Sequence, residues 1–285
     1  MNLVEFVLLM FTDHTAEPDF GYLTPAKVTK TIDPEFNVFI VEFSAISKDL
    51  AIISIERNSQ TKSDFFLQTR AEFHKKKEMI AFDLDSTLIK EEGLDLYAKF
   101  AGKESEVALI TEQAMKGLMD FKESFRERVQ ILKDSVMSHW EAVLKNIHLS
   151  DGAYELCQFL DEKKIIKVIL SGGIYQVASF IGDALNIDTI HCNRLSSIDG
   201  KLDGKIVGSI VGKKEKADFL KQIAIQRNIS LDAVVAIGDG ANDLDMLNMA
   251  GTGIAYKAKP KVRQQAKYRL EHFSLRALKY LFTEF

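Results

Sequence analysis

The chain has 285 residues, of which 46% are apolar and 27% charged, and its 37 basic and 41 acidic side chains give a net charge of −4. This composition is typical of a globular protein of about two domains, and it excludes a single small module, wholesale disorder, collagen and a coiled coil. The charge does not favour nucleic acid, and no apolar run approaches the roughly 20 residues that cross a bilayer, so we expect neither a nucleic-acid nor a membrane partner.

The first residues and the two cysteines predict a cytoplasmic protein. Residues 1–10 are apolar, but they carry Glu5, lack a basic leader and are not followed by a small-residue cleavage site. Cys157 and Cys192 lie far apart and outside the spacings of zinc sites. They therefore predict reduced, buried thiols rather than a disulfide framework.

Residues 1–78 predict a small α/β domain. Residues 36–43 (FNVFIVEF) and 50–55 (LAIISI) have the composition of two strands, and residues 63–77 read as a helix that ends in three lysines. The role of this part is open. Gly21 is the only glycine before Gly93, which disfavours a ligand-sensing domain with Gly-rich turns, and a structural or homodimer-forming role is the alternative.

From residue 79 the pattern changes to strands that alternate with helices, which is typical of a parallel sheet with helical crossovers. The strand at 79–85 (MIAFDLD) is followed by helical periodicity over about 94–147. Residues 165–170 (IIKVIL) and 233–237 (AVVAI) predict strands buried on both faces, each ending at a Gly-containing motif. Two Asp-Gly pairs at 199–204 predict a hairpin at the sheet edge.

Two carboxylates end the strand at 79–85. Because side chains alternate along an extended chain, Asp83 and Asp85 can point to the same side. Close carboxylates repel each other unless a cation or a shared proton compensates, which favours a chemical role. The alternative is a solvated turn with a Ser/Thr cap.

A second acidic cluster follows the strand at 233–237, in Gly238-Asp239-Gly240-Ala241-Asn242-Asp243. The flanking glycines let the backbone approach a ligand, and a carboxylate here could join Asp83 around one hard cation such as Mg²⁺. Helix capping explains Asn242 or Asp243 equally well, but it does not explain Asp239.

Ser171-Gly172-Gly173 lies between a predicted strand and a helix predicted from residue 174, where its hydroxyl and amides would favour a phosphate. Lys213, Lys214 and Lys216 precede a helix predicted at 217–226, and one of them could supply a fixed positive charge. For each lysine the ordinary alternative is a solvated side chain.

Taken in this order, the motifs resemble the haloacid dehalogenase superfamily of phosphatases and, within it, the phosphoserine phosphatase family. The resemblance spans about residues 79–258 and rests on these segments: Asp83-x-Asp85-x-Thr87, Ser171, Lys216 and Gly238-Asp239-Gly240-x-Asn242-Asp243. It implies an α/β fold in which residues 79–285 form a Rossmann-like parallel sheet core with a helical cap inserted at about 92–148.

The resemblance also implies a reaction: magnesium-dependent hydrolysis of O-phospho-L-serine through an aspartyl phosphate, the last step of serine biosynthesis. Asp83 would be the nucleophile and Asp85 the general acid and base. The Asp83 side chain, the Asp85 carbonyl and Asp239 would hold Mg²⁺. The phosphoryl oxygens would be contacted by the following residues: Lys216, Ser171, Gly172 and Asn242.

Within the cap, the resemblance places Glu92 against the substrate ammonium and Arg128 against its carboxylate, with Met115 and Phe121 as apolar walls. The alternative for each is ordinary, since helical Glu and Arg are usually solvated and helical Met and Phe usually belong to a core.

Two other functions remain open at this point: a phosphatase or phosphotransferase acting on another small phosphate monoester, and a binding module without catalysis. The first would keep every core motif. The second is disfavoured because nucleophile, acid, lysine and metal carboxylate are all present. The Lys/Arg-rich segment at 257–269 fits the solvated face of a short helix better than a polyanion site.

Overall fold

The computed structural model describes residues 3–15, 18, 20, 23–49, 51–52, 62–115, 118–187 and 189–283. The first of its two sheets is antiparallel, with its strands in the order β2-β3-β1-β4. These strands are β1 (Val4–Thr12), β2 (Lys27–Ile32), β3 (Asn37–Ala45) and β4 (Ser63–Thr69). The strand predicted at residues 36–43 is therefore confirmed as β3.

The helix predicted at residues 63–77 is wrong over its first half. Residues 63–69 are β4, which pairs with β1 over seven residues, and only α1 (Arg70–His74) is helical. Thr69 caps α1, because its hydroxyl accepts the Glu72 amide while the Glu72 carboxylate accepts the Thr69 amide. Of the strand predicted at 50–55, Ala51 and Ile52 are helical and the other four residues lie outside the described ones.

The second sheet has seven strands in the order β11-β10-β9-β5-β6-β7-β8. All neighbours are parallel except β7 and β8, which form the predicted edge hairpin. The strands are β5 (Met79–Phe82), β6 (Ile166–Ile174), β7 (Thr189–Ile198), β8 (Lys201–Val207), β9 (Val234–Gly238), β10 (Thr252–Tyr256) and β11 (Tyr268–Leu270). The predicted α/β fold with a parallel core is confirmed, and its central strand β5 is wholly buried.

Nine further helices accompany this sheet in the described residues. They are α2 (Gly93–Phe100), α3 (Glu104–Met115), α4 (Phe121–Ile131), α5 (His139–Lys145), α6 (Ala153–Glu162), α7 (Tyr175–Leu185), α8 (Lys213–Gln226), α9 (Leu244–Met249) and α10 (Pro260–Gln265). Helices α2 to α5 fall between β5 and β6, within the predicted helical stretch. They pack through Tyr97, whose ring lies 4.3 Å from that of Trp140.

Aromatic side chains join the first sheet to residues 273–280. Phe36 lies 5.3 Å from Phe273 and 6.3 Å from Tyr280, between ring centroids, and Phe11 packs beside both. The division at residue 78 into two domains stays a prediction.

A buried carboxylate fixes the same junction. Asp33 is 1% exposed, and it accepts hydrogen bonds from Arg276 at 3.0 Å, Lys279 at 2.5 Å and Tyr280 at 3.0 Å. Burial alone raises the pKa of Asp33, but these donors outweigh it and lower that pKa. The ion pairs therefore hold residues 276–280 against the first sheet.

Candidate active site

Three parallel strands deliver polar side chains to one edge of the second sheet. Asp83 follows β5, Ser171 lies near the end of β6, and Asp239 follows β9. Since β5 pairs with both β6 and β9 in parallel, their carboxyl ends meet at the same place. The predicted convergence of these segments is therefore observed.

The chain turns sharply after Asp83. The Asp83 Oδ1 atom accepts the Leu84 amide at 2.7 Å and lies 2.8 Å from Lys216 Nζ, which fixes the orientation of the carboxylate. Residues Leu84–Leu88 form one wide helical turn, in which Ser86 has a φ of 56°. This turn places Asp85 back over the strand ends.

Asp85 lies against the glycines of the site. Its Oδ1 accepts the Gly93 amide at 2.8 Å, and its Oδ2 occupies the space that a Cβ on Gly173 would need. Burial raises the pKa of Asp85 well above its usual value, and the neighbouring Glu92 and Asp83 charges raise it further. The site therefore favours a protonated Asp85, which can donate a proton.

A buried carboxylate cluster lies at the same edge of the second sheet. Asp83, Asp239 and Asp243 each offer an oxygen, and these oxygens all lie within 4.8 Å of one another. Burial, followed by the Asp83 charge, raises the pKa of Asp239 to about 7 and that of Asp243 to about 8. Lys216 bridges the cluster at 2.8 Å from Asp83 and 2.6 Å from Asp243.

Lys216 is fully buried and remains cationic. Burial by itself lowers the pKa of Lys216, but the Asp243 and Asp83 charges outweigh it and raise that pKa. One ammonium does not neutralise three carboxylates, so the cluster has the charge and the oxygen donors that suit a divalent cation. The described residues thus contain a group that fits a metal ion.

The metal ligands predicted from the sequence do not include Asp243. That residue was given a helix-capping alternative, yet its side chain makes no cap to α9 and instead accepts the Gly240 amide at 2.9 Å. The signal was the position of Asp243 just beyond the β9 end, in the same turn as Asp239.

Ser171-Gly172-Gly173 belongs to β6, and the helix predicted from residue 174 follows it directly, so the motif lies in the strand that leads into the helix. The Ser171 hydroxyl accepts the Gly173 backbone amide at 2.8 Å, and the Gly172 carbonyl accepts the side-chain amide of Asn193 at 2.8 Å. These side-chain bonds hold the motif where the pairing of β6 with β7 is interrupted, between Leu170 and Ile174. Helix α7 begins at Tyr175.

The lysines at 213, 214 and 216 lie within α8, not before it, because the helix begins directly after its N-cap residue Gly212. Their spacing along the helix places their side chains on different faces. Lys216 points into the core, whereas Lys213 pairs with Asp245 at the surface, 2.9 Å away. Only Lys216 reaches the site.

A cavity of 380 Å³ opens above these groups, between the sheet edge and helices α2 to α4. Its walls include the predicted Glu92, Phe121, Arg128, Gly172 and Asn242. The side chain of Met115 lies outside the described residues. The volume suits a small metabolite.

The cap side chains of the cavity have polar atoms free for a ligand. Arg128 Nη1 lies 3.4 Å from Asp95 Oδ1, and its buried Nε has no hydrogen-bond partner among the described residues. The Glu92 Oε1 atom accepts the Ser86 hydroxyl at 3.0 Å. A buried donor without a partner is costly, so Arg128 favours a bound acceptor.

Phe121 closes the cavity against the core. A Cβ built on Gly172 would lie 2.7 Å from the Phe121 ring, so a larger residue at this position would displace the ring. The next residue, Lys122, pairs with Glu215 of α8 at 2.5 Å. Helix α4 thus rests directly on the strand end.

The sequence analysis missed several of the described residues of the pocket wall, and Lys259 is the one cation among them. Lys259 lines the cavity, and its Nζ lies 3.8 Å from Asp239 Oδ2. The sequence placed it in the solvated basic face at 257–269, and no spacing rule separates it from its neighbours. Its position follows from the chain path after β10.

The sequence profile of the haloacid dehalogenase-like hydrolases matches residues 80–248. The chain belongs to this family. It is 38% identical to a phosphoserine phosphatase of Saccharomyces cerevisiae. That match covers 86% of this chain and 81% of the relative. The chain is also 43% identical to the phosphoserine phosphatase of Lactococcus lactis, over 70% of this chain and 92% of the relative.

Solved structures agree with this hydrolase assignment. A hydrolase of the same family from Salmonella enterica serovar Typhi superposes with a TM-score of 0.86 at 28% identity, covering 97% of this chain and 98% of that one. A phosphoserine phosphatase solved as a phospho-aspartyl intermediate analogue gives 0.67 at 39% identity, over 72% of this chain and 98% of that one. In the described residues no helix has the length and apolar character needed to cross a membrane.

Proposed function

We propose that this chain hydrolyses O-phospho-L-serine to L-serine and phosphate, the last step of serine biosynthesis, with Mg²⁺ as its metal ion. The observation that carries the proposal is the placement of Glu92 and Arg128 in the same cavity as Asp83 and Asp85. An anionic and a cationic side chain beside a phosphoryl site match the ammonium and carboxylate of an amino-acid ester. Seven relatives named phosphoserine phosphatase are 36–43% identical to this chain.

In the first step, a carboxylate oxygen of Asp83 attacks phosphorus and forms an aspartyl phosphate. The bond between phosphorus and the serine oxygen breaks, and Asp85 gives its proton to the departing serine oxygen. Both residues suit these roles: Asp83 is held by Lys216 and the Leu84 amide, and the raised pKa of Asp85 keeps a proton available.

In the second step, water attacks the phosphorus of the aspartyl phosphate. Asp85, now ionised, takes the proton of that water, and the bond between phosphorus and Asp83 breaks to release phosphate. Asp85 thus returns to its protonated state and Asp83 to its carboxylate. Covalent capture divides one difficult displacement into two easier ones.

The carboxylates of Asp83, Asp239 and Asp243, with the Asp85 backbone carbonyl implied by the resemblance, would hold Mg²⁺. When bound, the ion neutralises charge on the phosphoryl group as it is transferred. Calcium seeks more ligands at longer distances, and we expect it to replace magnesium poorly.

The remaining contacts to the phosphoryl oxygens come from the core. Lys216 contributes a fixed positive charge, and the Ser171 hydroxyl, the Gly172 amide and Asn242 contribute hydrogen bonds. Such donors are most effective where charge grows in the transition state and water is excluded.

Side chains from the cap select the substrate. Glu92 binds its ammonium and Arg128 its carboxylate, while Phe121 and Met115 form apolar walls. Arg128 can hold a carboxylate through two parallel hydrogen bonds, which a lysine cannot reproduce.

The test is phosphate release from phosphoserine, phosphothreonine, phosphoethanolamine and glycerol phosphate, each with magnesium and with excess chelator. We expect phosphoserine to have the highest kcat/KM and the chelator to abolish turnover. A preference for another ester would favour the alternative phosphatase, and transfer to an alcohol instead of water would favour a phosphotransferase. Full turnover in chelator would refute the metal assignment.

The cellular location of the enzyme and the role of residues 1–78 stay predictions. We propose a cytoplasmic location, supported by the two free cysteines, Cys157 and Cys192. Residues 1–78 are proposed as a structural or homodimer-forming domain, a role that sedimentation of the purified chain tests directly.

A further inference from the structure

The walls of the cavity carry more acid than base. Among the described residues that line it, the cations are Arg128 and Lys259, and the acidic side chains are five: Asp83, Asp85, Glu92, Asp95 and Asp239. A phosphate ester enters as a dianion. Even with Asp85 protonated and a divalent cation on the carboxylate cluster, an exposed cation at the mouth of the cavity would favour the entry of such an anion.

Two of the three cations at the site are already engaged. Lys216 lies below the cavity floor, fully buried, 2.6 Å from Asp243 and 2.8 Å from Asp83. Arg128 is 13% exposed and lies 3.4 Å from Asp95. Lys216 is buried within the carboxylate cluster and Arg128 is assigned to the substrate carboxylate, so neither presents an exposed cationic group to an arriving phosphate.

Lys259 differs from Lys216 and Arg128 in its exposure and in the strength of its ion pair. Its side chain is 57% exposed, and its ion pair with Asp239 is long, at 3.8 Å. At the same time its backbone is fixed: its amide donates to the Asp239 carbonyl at 3.1 Å, and its own carbonyl accepts the Val262 amide at 2.9 Å at the start of α10. The backbone of Lys259 is thus fixed, while its ammonium group is exposed and held by one long ion pair.

The Lys259 charge acts on both ends of the cavity. It opposes the burial that raises the pKa of Glu92, on the cap side, and that of Asp239, on the metal side. Lys259 therefore lines the same cavity as Glu92 and Asp239 and is close enough for its charge to act on both.

We propose that Lys259 is a substrate-binding residue that recruits phosphate monoesters, by exchanging its long contact with Asp239 for a contact with the incoming phosphate. This inference rests on the proposed function for its natural substrate, but the group that Lys259 recognises is the phosphate itself. It predicts the same effect on any phosphate monoester, unlike the carboxylate recognition assigned to Arg128.

The test compares Lys259→Met with Lys257→Met and Lys259→Arg. Lys257 is a matched control, because it is exposed, lies two residues away, pairs with Asp151 and does not line the cavity. For Lys259→Met we expect kcat/KM to fall on the order of tenfold for both phosphoserine and an aryl phosphate, through KM, with kcat within about twofold. Its kcat/KM should also depend less on salt concentration than that of the parent. Lys259→Arg should retain the parent behaviour, and Lys257→Met should be unchanged.

Three results would overturn the proposal: an unchanged KM in Lys259→Met, an equal loss in Lys257→Met, or a loss confined to kcat. Calorimetric titration of the magnesium-loaded proteins with inorganic phosphate separates this proposal from the proposed function. If the parent binds phosphate more tightly than Lys259→Met but does not hydrolyse phosphoserine, the substrate assignment fails and the role of Lys259 stands. If both bind phosphate equally, the role of Lys259 fails whatever the substrate.

Discussion

Removal of metal should make the stability of this protein fall as the pH rises from 5 to 7.5, and Asp239 should cause a large part of that fall. Its pKa is about 7 in the folded chain, because burial and the Asp83 charge oppose its ionisation. In the unfolded chain a carboxyl group has a pKa of about 4. The unfolded state therefore ionises first, and stability is lost as the pH rises between these two values.

The size of the effect follows from that difference. Ionisation of Asp239 lowers the free energy of unfolding by about 1.4 kcal/mol for each pH unit between the two pKa values. From pH 5 to pH 7.5 this amounts to about 2.5 kcal/mol, or roughly 5–10 °C in Tm at 2–4 °C per kcal/mol. Bound magnesium would stabilise the ionised form and so reverse the trend.

The assay is thermal unfolding of chelated protein at pH 5 and 7.5, with Asp239→Asn as the matched control. The asparagine keeps the shape of the side chain and cannot ionise, so the difference between the two proteins reports the ionisation of Asp239 together with its effect on the pKa of Asp243. We expect the parent to lose more Tm than Asp239→Asn across this range, and magnesium to raise the Tm of the parent most at pH 7.5. Equal slopes in the two proteins would refute the reasoning about the buried cluster.

Four substitutions test the rest of the site. Asp83→Asn should abolish the phosphoenzyme while leaving the chain folded, because the amide has the same shape and relieves repulsion in the cluster; intact-mass measurement of trapped intermediate checks this. Asp85→Asn should lower kcat by about a hundredfold or more, as measured in the steady state, since proton transfer is lost at both steps. Arg128→Ala should remove the preference for phosphoserine over phosphoethanolamine while aryl phosphate hydrolysis persists; an unchanged ratio would show that Arg128 does not bind the substrate carboxylate. Gly172→Ala should raise KM and weaken cap closure, because its methyl group would meet the Phe121 ring, and normal kinetics would show that helix α4 yields.

Residues close together in the sequence made much of the site predictable. Asp83 and Asp239 each follow an apolar strand, and the rule that ligands bind at the carboxyl ends of parallel strands places them together. The burial of Lys216 could not be predicted in the same way. It depends on α8 starting at Lys213, one turn earlier than its apolar pattern indicates, so that the fourth residue faces the core.

Other features depend on contacts that the sequence does not display. The hydrophobic pattern of residues 63–69 is compatible with a helix as well as with a strand. These residues form a strand because they pair with β1. Lys259 has the composition of a solvated turn, and only the return of the chain past Asp239 brings it to the cavity. Long-range packing overrides local preference in both cases.

The contact between the first sheet and residues 271–280 sets an order of events during synthesis. Strands β1 and β3 leave the ribosome early, but Phe11 and Phe36 find their partners Phe273 and Tyr280 only when more than two hundred further residues have been made. Asp33 likewise waits for Arg276 and Lys279. Until then an apolar face of the first sheet is open to solvent and to other chains, so a nascent protein stalled before residue 270 is the form most exposed to aggregation and to capture by chaperones.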